Sequence, residues 1–218
     1  MFESEVDIND SGRWSIETQP KVINNVTTDI KIAASPIFKY ENTGTIFTNL
    51  GEIMTDDQKR KLNKIFSYGL VRSARDALRH NRNVKSIDCT NWNMRGVTNI
   101  SSMFGDCINL KSLDVSKWDT STITDMSDLF YSCESLTELD LSNWDTSKVM
   151  SFYGMFYSCN ELITIKGVID MKSQLNGYAN MFYGCPKLTN VKVKNIPDNI
   201  DQFCVTAGID KSKVTVVS

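Results

Sequence analysis

Residues 136–149 read LTELDLSNWDTSKV, and residues 110–123 read LKSLDVSKWDTSTI, the same phrase 26 positions earlier (136 against 110). Tryptophan, an Asp-Thr-Ser step and a comb of leucines recur in one order. The interval extends beyond the phrase. Trp92, Trp118 and Trp144 keep it, as do Phe104, Phe130, Phe156 and Phe182. Cys107, Cys133, Cys159 and Cys185 form a third column, and Leu110, Leu136, Leu162 and Leu188 a fourth. A period of this length marks a chain built from stacked supersecondary units, none of which buries its apolar face alone.

Each period has two rhythms. Leu110, Leu113 and Val115 give an L-x-x-L-x-V comb, repeated by Leu136, Leu139 and Leu141 and begun by Val84, Ile87 and Cys89. Alternating side chains of that kind point one way from a short strand. The second half changes to i, i+3, i+4, i+7: Ile100, Met103, Phe104, Cys107, then Met126, Leu129, Phe130, Cys133, then Phe152, Met155, Phe156, Cys159. That spacing predicts one face of a short helix.

The order L-x-x-L-D-L-S-x-W-D-T-S-x-V-x-x-M-x-x-M-F-x-x-C resembles the leucine-rich repeats of BspA-like bacterial surface proteins, most fully over residues 136–159 and in outline over 84–192. The resemblance implies a surface protein with a role in adhesion, placed at the cell surface or outside the cell. The expected architecture is α/β: a leucine-rich-repeat solenoid of 26-residue coils, short parallel strands on one face and short helices on the other.

The ends depart from the repeat. Residues 1–50 form a β-rich segment in which Ile37–Tyr40 and Thr45–Phe47 are expected to pair across the turn Glu41–Gly44. This segment reads as an extra cap, an anchor to another protein, or a module of its own. Residues 51–83 hold a capping helix, expected over 56–80, with Thr55 and Gln58 as its capping box. Repeats follow over 84–194. In the last of them Asp170 stands where tryptophan is due, so a different turn is expected there. Residues 195–218 read as a degenerate capping coil, with a helix on Ile200, Phe203, Cys204 and Ala207 begun by Pro197, and a final strand with Val214 and Val217 at 26 residues from Leu188 and Val191.

Charge and composition narrow the function. Lys+Arg 24 against Asp+Glu 26 leaves a net charge of -2, with no basic excess for a nucleic-acid backbone. No apolar run reaches the ~18 residues a membrane helix needs. The acidic start Met1–Asp10 lacks the basic-then-apolar order of a signal peptide. A trimmed fragment, an intracellular protein and export by another route all fit that start. The alternative to an adhesin is a structural or displayed component of a larger assembly such as a virion, anchored by residues 1–50.

The residues that carry chemistry read mainly as architecture. Helices side by side stand about 10 Å apart, beyond disulfide reach, so the cysteine column reads as buried thiols. His80, the single histidine, is expected at the end of the long helix, and no nucleophile motif surrounds it. An enzyme is not expected, and neither is a cofactor or a metal. The tryptophans read as a core spine, with a stacking platform for sugars or bases as the alternative.

Positions between the comb residues point outward. They give the ladder Asp88, Asp114, Asp140, Lys166, Lys192, with Glu138 beside it. These six are the candidate binding residues, either as a solvated repeat column or as part of a protein-binding face. A calcium site is the third reading, weakened because carboxylates in a line do not converge on a point. The expected partner is a protein or glycan ligand, on a cell surface or within an assembly. Asn25 and Asn99 each begin a glycosylation sequon.

Overall fold

The computed structural model describes residues 14–17, 37–40, 53, 55–67, 71–172 and 177–218. Strands β1 (Trp14–Glu17) and β2 (Ile37–Tyr40) pair antiparallel, Trp14 opposite Tyr40. The expected partner of β2, Thr45–Phe47, lies outside the described residues, as do the first dozen. Thus β2 is a strand as expected, and it pairs with an earlier segment, β1.

Helix α1 spans Asp56–Ser67, not 56–80. The capping box at its start is formed: the Thr55 amide donates to Gln58 Oε1 at 2.9 Å and the Gln58 amide to Thr55 Oγ1 at 3.2 Å. Val71, Ala74, Ala77 and Leu78 stand 26 residues before Val97, Ile100, Met103 and Phe104 and are buried in the first repeated period, as that register expects, but on turns and not on a continuation of α1. The Ala74, Asp76 and Leu78 amides bond forward to Asn99, Ser101 and Met103 carbonyls, 25 residues ahead, and not back within a helix.

That ladder recurs in every period and replaces the short helices. The Ser102, Phe104 and Asp106 amides bond to Ser127, Leu129 and Tyr131 carbonyls at 2.7–3.0 Å. The amides between them close local turns, Met103 to Ile100, Gly105 to Ser102 and Cys107 to Phe104. Two four-residue turns in succession present apolar groups at i, i+3, i+4 and i+7, as a helical turn pair would. Each turn closes on a left-handed residue, which fills two more columns: Asp76, Ser102, Asp128, Gly154, Asn180 and His80, Asp106, Ser132, Ser158, Gly184. A periodicity of i, i+3, i+4, i+7 does not separate these two backbones, and the many Asp, Asn, Ser and Gly at those columns tolerate the positive φ.

The strand side is a run of short parallel pairs. β3 (Ser86–Ile87) pairs with β4 (Ser112–Leu113), and β5 (Glu138–Asp140) with β6 (Thr164–Lys166), both at an offset of 26. β7 (Ile169–Asp170), β8 (Val191–Lys194) and β9 (Val214–Val216) form a third parallel group. The last register differs from expectation. Val191 faces Val214 and Val193 faces Val216, an offset of 23, because α2 (Ile200–Ala207) and its connections take fewer residues than a full period. α2 buries Phe203, Cys204 and Ala207 as read, but it is capped by Asn199, leaving Pro197 outside.

One core runs the length of the stack between strand side and turn side. Columns of identical rings pack on themselves: Phe104, Phe130, Phe156 and Phe182 stand 5.6–5.7 Å apart, centroid to centroid, with planes within 13°. Trp92, Trp118 and Trp144 do the same at 6.0 Å. Helix α1 closes the open end by imitation. Its Phe66 sits 26 residues before Trp92 and stacks on it at 4.3 Å. Asn63 Oδ1 accepts the Trp92 indole N–H at 2.9 Å, whereas Trp118 and Trp144 donate to the Cys89 and Val115 carbonyls.

All six cysteines are free and buried. Helix spacing is not the reason. Stacked turns keep a strand-like separation of about 4.8 Å, inside disulfide reach. Each thiol of the column instead donates to a carbonyl 29 residues earlier: Cys133 to Phe104, Cys159 to Phe130, Cys185 to Phe156, at 3.0–3.2 Å. Burial pushes the Cys107 thiol up to about 12 and raises Cys133 and Cys159 as well, while contact with Cys159 lowers Cys185. An aromatic disulfide reagent at mildly alkaline pH is therefore expected to leave the folded chain almost unlabelled, Cys185, at 8% the most exposed of the six, reacting first. All six should label at once in concentrated guanidinium, with mass mapping as the check.

Candidate functional site on the strand face

Outward side chains of β3 to β6 line a groove of about 400 Å³. Its floor is Ile87 and Leu113, which are also core residues, and its rim carries Asp88, Asp114, Glu138, Asp140 and Lys166. The pleat explains the arrangement, because Ser86 and Glu138 point out where Ile87 and Leu139 point in. Five of the six candidate residues are thus brought together. Lys192, exposed on β8, lies beyond the groove lining.

Three of the carboxylates also shape the backbone. Asp88 Oδ1 accepts the Thr90 amide at 3.2 Å, Asp114 Oδ1 the Ser116 amide and hydroxyl at 3.1 and 2.6 Å, and Asp140 Oδ1 the Ser142 amide at 3.0 Å. Each is an Asx turn that ends a strand. The same device folds the Asp119–Ser121 and Asp145–Ser147 steps. Glu138 is the groove acid with no turn bond; Lys166 Nζ stands 3.9 Å from it, with both side chains more than half exposed. The ladder position hid this double role, although the recurring Asp-x-Ser signalled it.

Serine hydroxyls and amides hold the carboxyls of Asp114, Asp119, Asp140, Asp145 and Asp210 below their ordinary value. A depressed folded value means that these turns stabilise the chain fully above the unfolded carboxyl value, about 4. The contribution is lost as pH falls through the folded values. Asp128 runs the other way, raised by burial on the turn side. The melting temperature is expected to stay level from neutrality to about pH 5 and to fall below about pH 4. Asp119→Asn, which keeps an acceptor for the turn but does not titrate, should shallow that fall.

The other sequence candidates lie away from the groove. His80 sits in a left-handed turn, not at a helix end, its Nδ1 3.1 Å from Asp106 Oδ2. Asn99 Oδ1 accepts the Ser101 amide and hydroxyl while its Nδ2 donates to Asp125, so the amide a glycan would need is engaged in the stack. Asn25 lies outside the described residues. The rings of Trp92, Trp118 and Trp144 cover one another and are 1–6% exposed, so they present no face to a ligand. Among the described residues no three His, Cys, Asp or Glu side chains group as a metal site, and no helix is long and apolar enough to cross a membrane.

A family model described as "Mycoplasma protein of unknown function, DUF285" matches residues 72–196, more than half of the chain. The chain belongs to this family. No curated protein and no solved structure matches it. The DUF285 segment begins with the first stacked turn, just after α1, and stops before α2, so the helix at either end lies outside the matched residues. The groove lies wholly inside the DUF285 segment.

Proposed function

We propose that this DUF285 chain is a non-catalytic binding module, a leucine-rich-repeat solenoid with BspA-like repeats that recognises a protein or glycan at a cell surface. The observation that carries the reading is the groove across β3 to β6. Its floor is fixed by the repeat core, while its outward columns change along the stack, Ser86 and Ser112 giving way to Glu138 in one and the run Asp88, Asp114, Asp140 ending at Lys166 in the other. Constant core and variable outward positions suit a surface whose rim can be changed without refolding the stack. The surface location is supported by the BspA-like repeat order alone.

The test places a photo-crosslinking amino acid at Ser112, in the groove, and in a control at Ser127, on the turn side. Partners are sought in surface fractions of the parent organism and of any host. Capture of one defined protein or glycan from Ser112 and not from Ser127 is expected. If neither position captures anything, and Glu138→Lys with Lys166→Glu leaves the organism's adhesion unchanged, the binding reading is wrong.

A further inference from the structure

We propose that the strand face docks a cationic polypeptide segment, one Lys or Arg side chain lying over Ile87 and Leu113 with its charged head between Asp114 and Asp140. This rests on the reading of the strand face as the binding surface, and it names the partner's chemistry.

Charge complementarity selects the occupant. The groove rim holds Asp88, Asp114, Glu138 and Asp140 against the single Lys166, which is already within 3.9 Å of Glu138. Lys117 is the cation acting on Asp114, Asp140 acts on it as a repelling neighbour, and Lys166 acts on Asp140. Parallel strands at about 4.8 Å spacing keep like charges on adjacent strands close, which is unfavourable until a cation comes between them. The Ser116 and Ser142 bonds keep Asp114 and Asp140 ionised and fixed in direction.

The shape of the groove selects a side chain over a bare ion. Ile87 and Leu113 at its floor are only 3% and 8% exposed, so the floor is chiefly strand backbone without a charge of its own, over which a Lys or Arg stem can lie with its head at the rim. The carboxylates are spread over three successive strands, and an oxygen of each of the three aspartates already accepts a turn hydrogen bond, so they do not converge as calcium requires. The acidic rim repels a phosphate backbone. A sugar ring would need an aromatic face, and no aromatic residue lines the groove.

The experiment uses the purified full chain with a blocked, fluorescent, extended peptide that alternates threonine with Arg and Lys. Controls are the same peptide with citrulline and acetyl-lysine, and calcium chloride alone. Anisotropy is expected to show binding of the charged peptide that weakens as ionic strength rises. Amide shifts should centre on Ile87, Leu113 and Asp114. Asp114→Asn with Asp140→Asn should weaken binding by about fivefold or more. The melting temperature at neutral pH should fall only slightly, because asparagine still accepts the turn bond but lacks the carboxylate's charge, and the fold should be retained by circular dichroism.

Equal binding of the neutral peptides, shifts centred on another face, calcium shifts in place of peptide shifts, or no binding at all would overturn the proposal. A partner captured from Ser112 whose affinity ignores both salt and the double variant would overturn it too, while leaving the binding-module reading intact. Loss of both the capture and the peptide binding would remove the two together.

Discussion

Trp118→Ala is expected to lower the free energy of unfolding by about 3–5 kcal/mol, the range for deleting a fully buried large aromatic side chain. Trp118 is 1% exposed and stands between Trp92 and Trp144, its ring 6.0 Å from each. Phe104 approaches it from the turn side at 6.1 Å. The cavity left by alanine closes only in part, because the Trp92, Trp144 and Phe104 rings that wall it are each held in their own period. The indole N–H is lost as well, which releases the Cys89 carbonyl.

Trp118→Phe keeps a ring in the stack and should cost about 1–2 kcal/mol, mostly the hydrogen bond and a thin void. Urea unfolding followed by tryptophan fluorescence and circular dichroism is the measurement. In a stack each period holds only its neighbours, so Trp118→Ala is also expected to divide one transition into two. A loss under about 1.5 kcal/mol with a single transition would mean that the spine does not couple the periods.

Much of this architecture was legible because a period reports itself many times over. Any one of the tryptophan, phenylalanine, cysteine and leucine columns would have given the 26-residue step. What the pattern could not decide was the backbone of the turn side. Met126, Leu129, Phe130 and Cys133 satisfy a helix and a pair of turns alike, and the deciding signal lay in the polar residues between them, where Asp128 and Ser132 take positive φ. The strand face shows a similar division. Alternation gave the outward direction of Asp114 and Asp140, but direction alone does not say whether a carboxylate is free. The serine two residues later did carry that information. At the N-terminal end, subtracting 26 from Trp92 reaches Phe66, a ring in the right column, but the helical stripe of α1 masked its second role as the last member of the tryptophan stack.

The second large effect is expected at Gly167, just after β6, where φ is +101°. A β-carbon there would lie 2.7 Å from the Leu141 carbonyl carbon and oxygen and 2.8 Å from the Ser142 nitrogen. Those atoms are backbone, in the turn that Asp140 and Ser142 hold, so nothing local can rotate away. Gly167→Ala therefore combines an unfavourable φ with a forced separation of β6 from β5, and should cost about 2–4 kcal/mol. The Leu141 amide donates to the Lys166 carbonyl at 2.9 Å, so amide exchange at Leu141 should accelerate first and the Lys166 end of the groove should open. Gly154 supplies the control. Its φ of +56° matches Asp128 and Asn180, its column neighbours, at +54° and +57°. A side chain there meets the Asp128 carboxylate, which can turn aside, while the Tyr157 β-carbon is at an ordinary 3.8 Å. Gly154→Asn is expected to change stability by less than about 1 kcal/mol. Equal penalties at the two glycines would mean that φ alone sets the cost. A larger penalty at Gly167 assigns the difference to the backbone contact that holds β5 and β6 together beneath the groove.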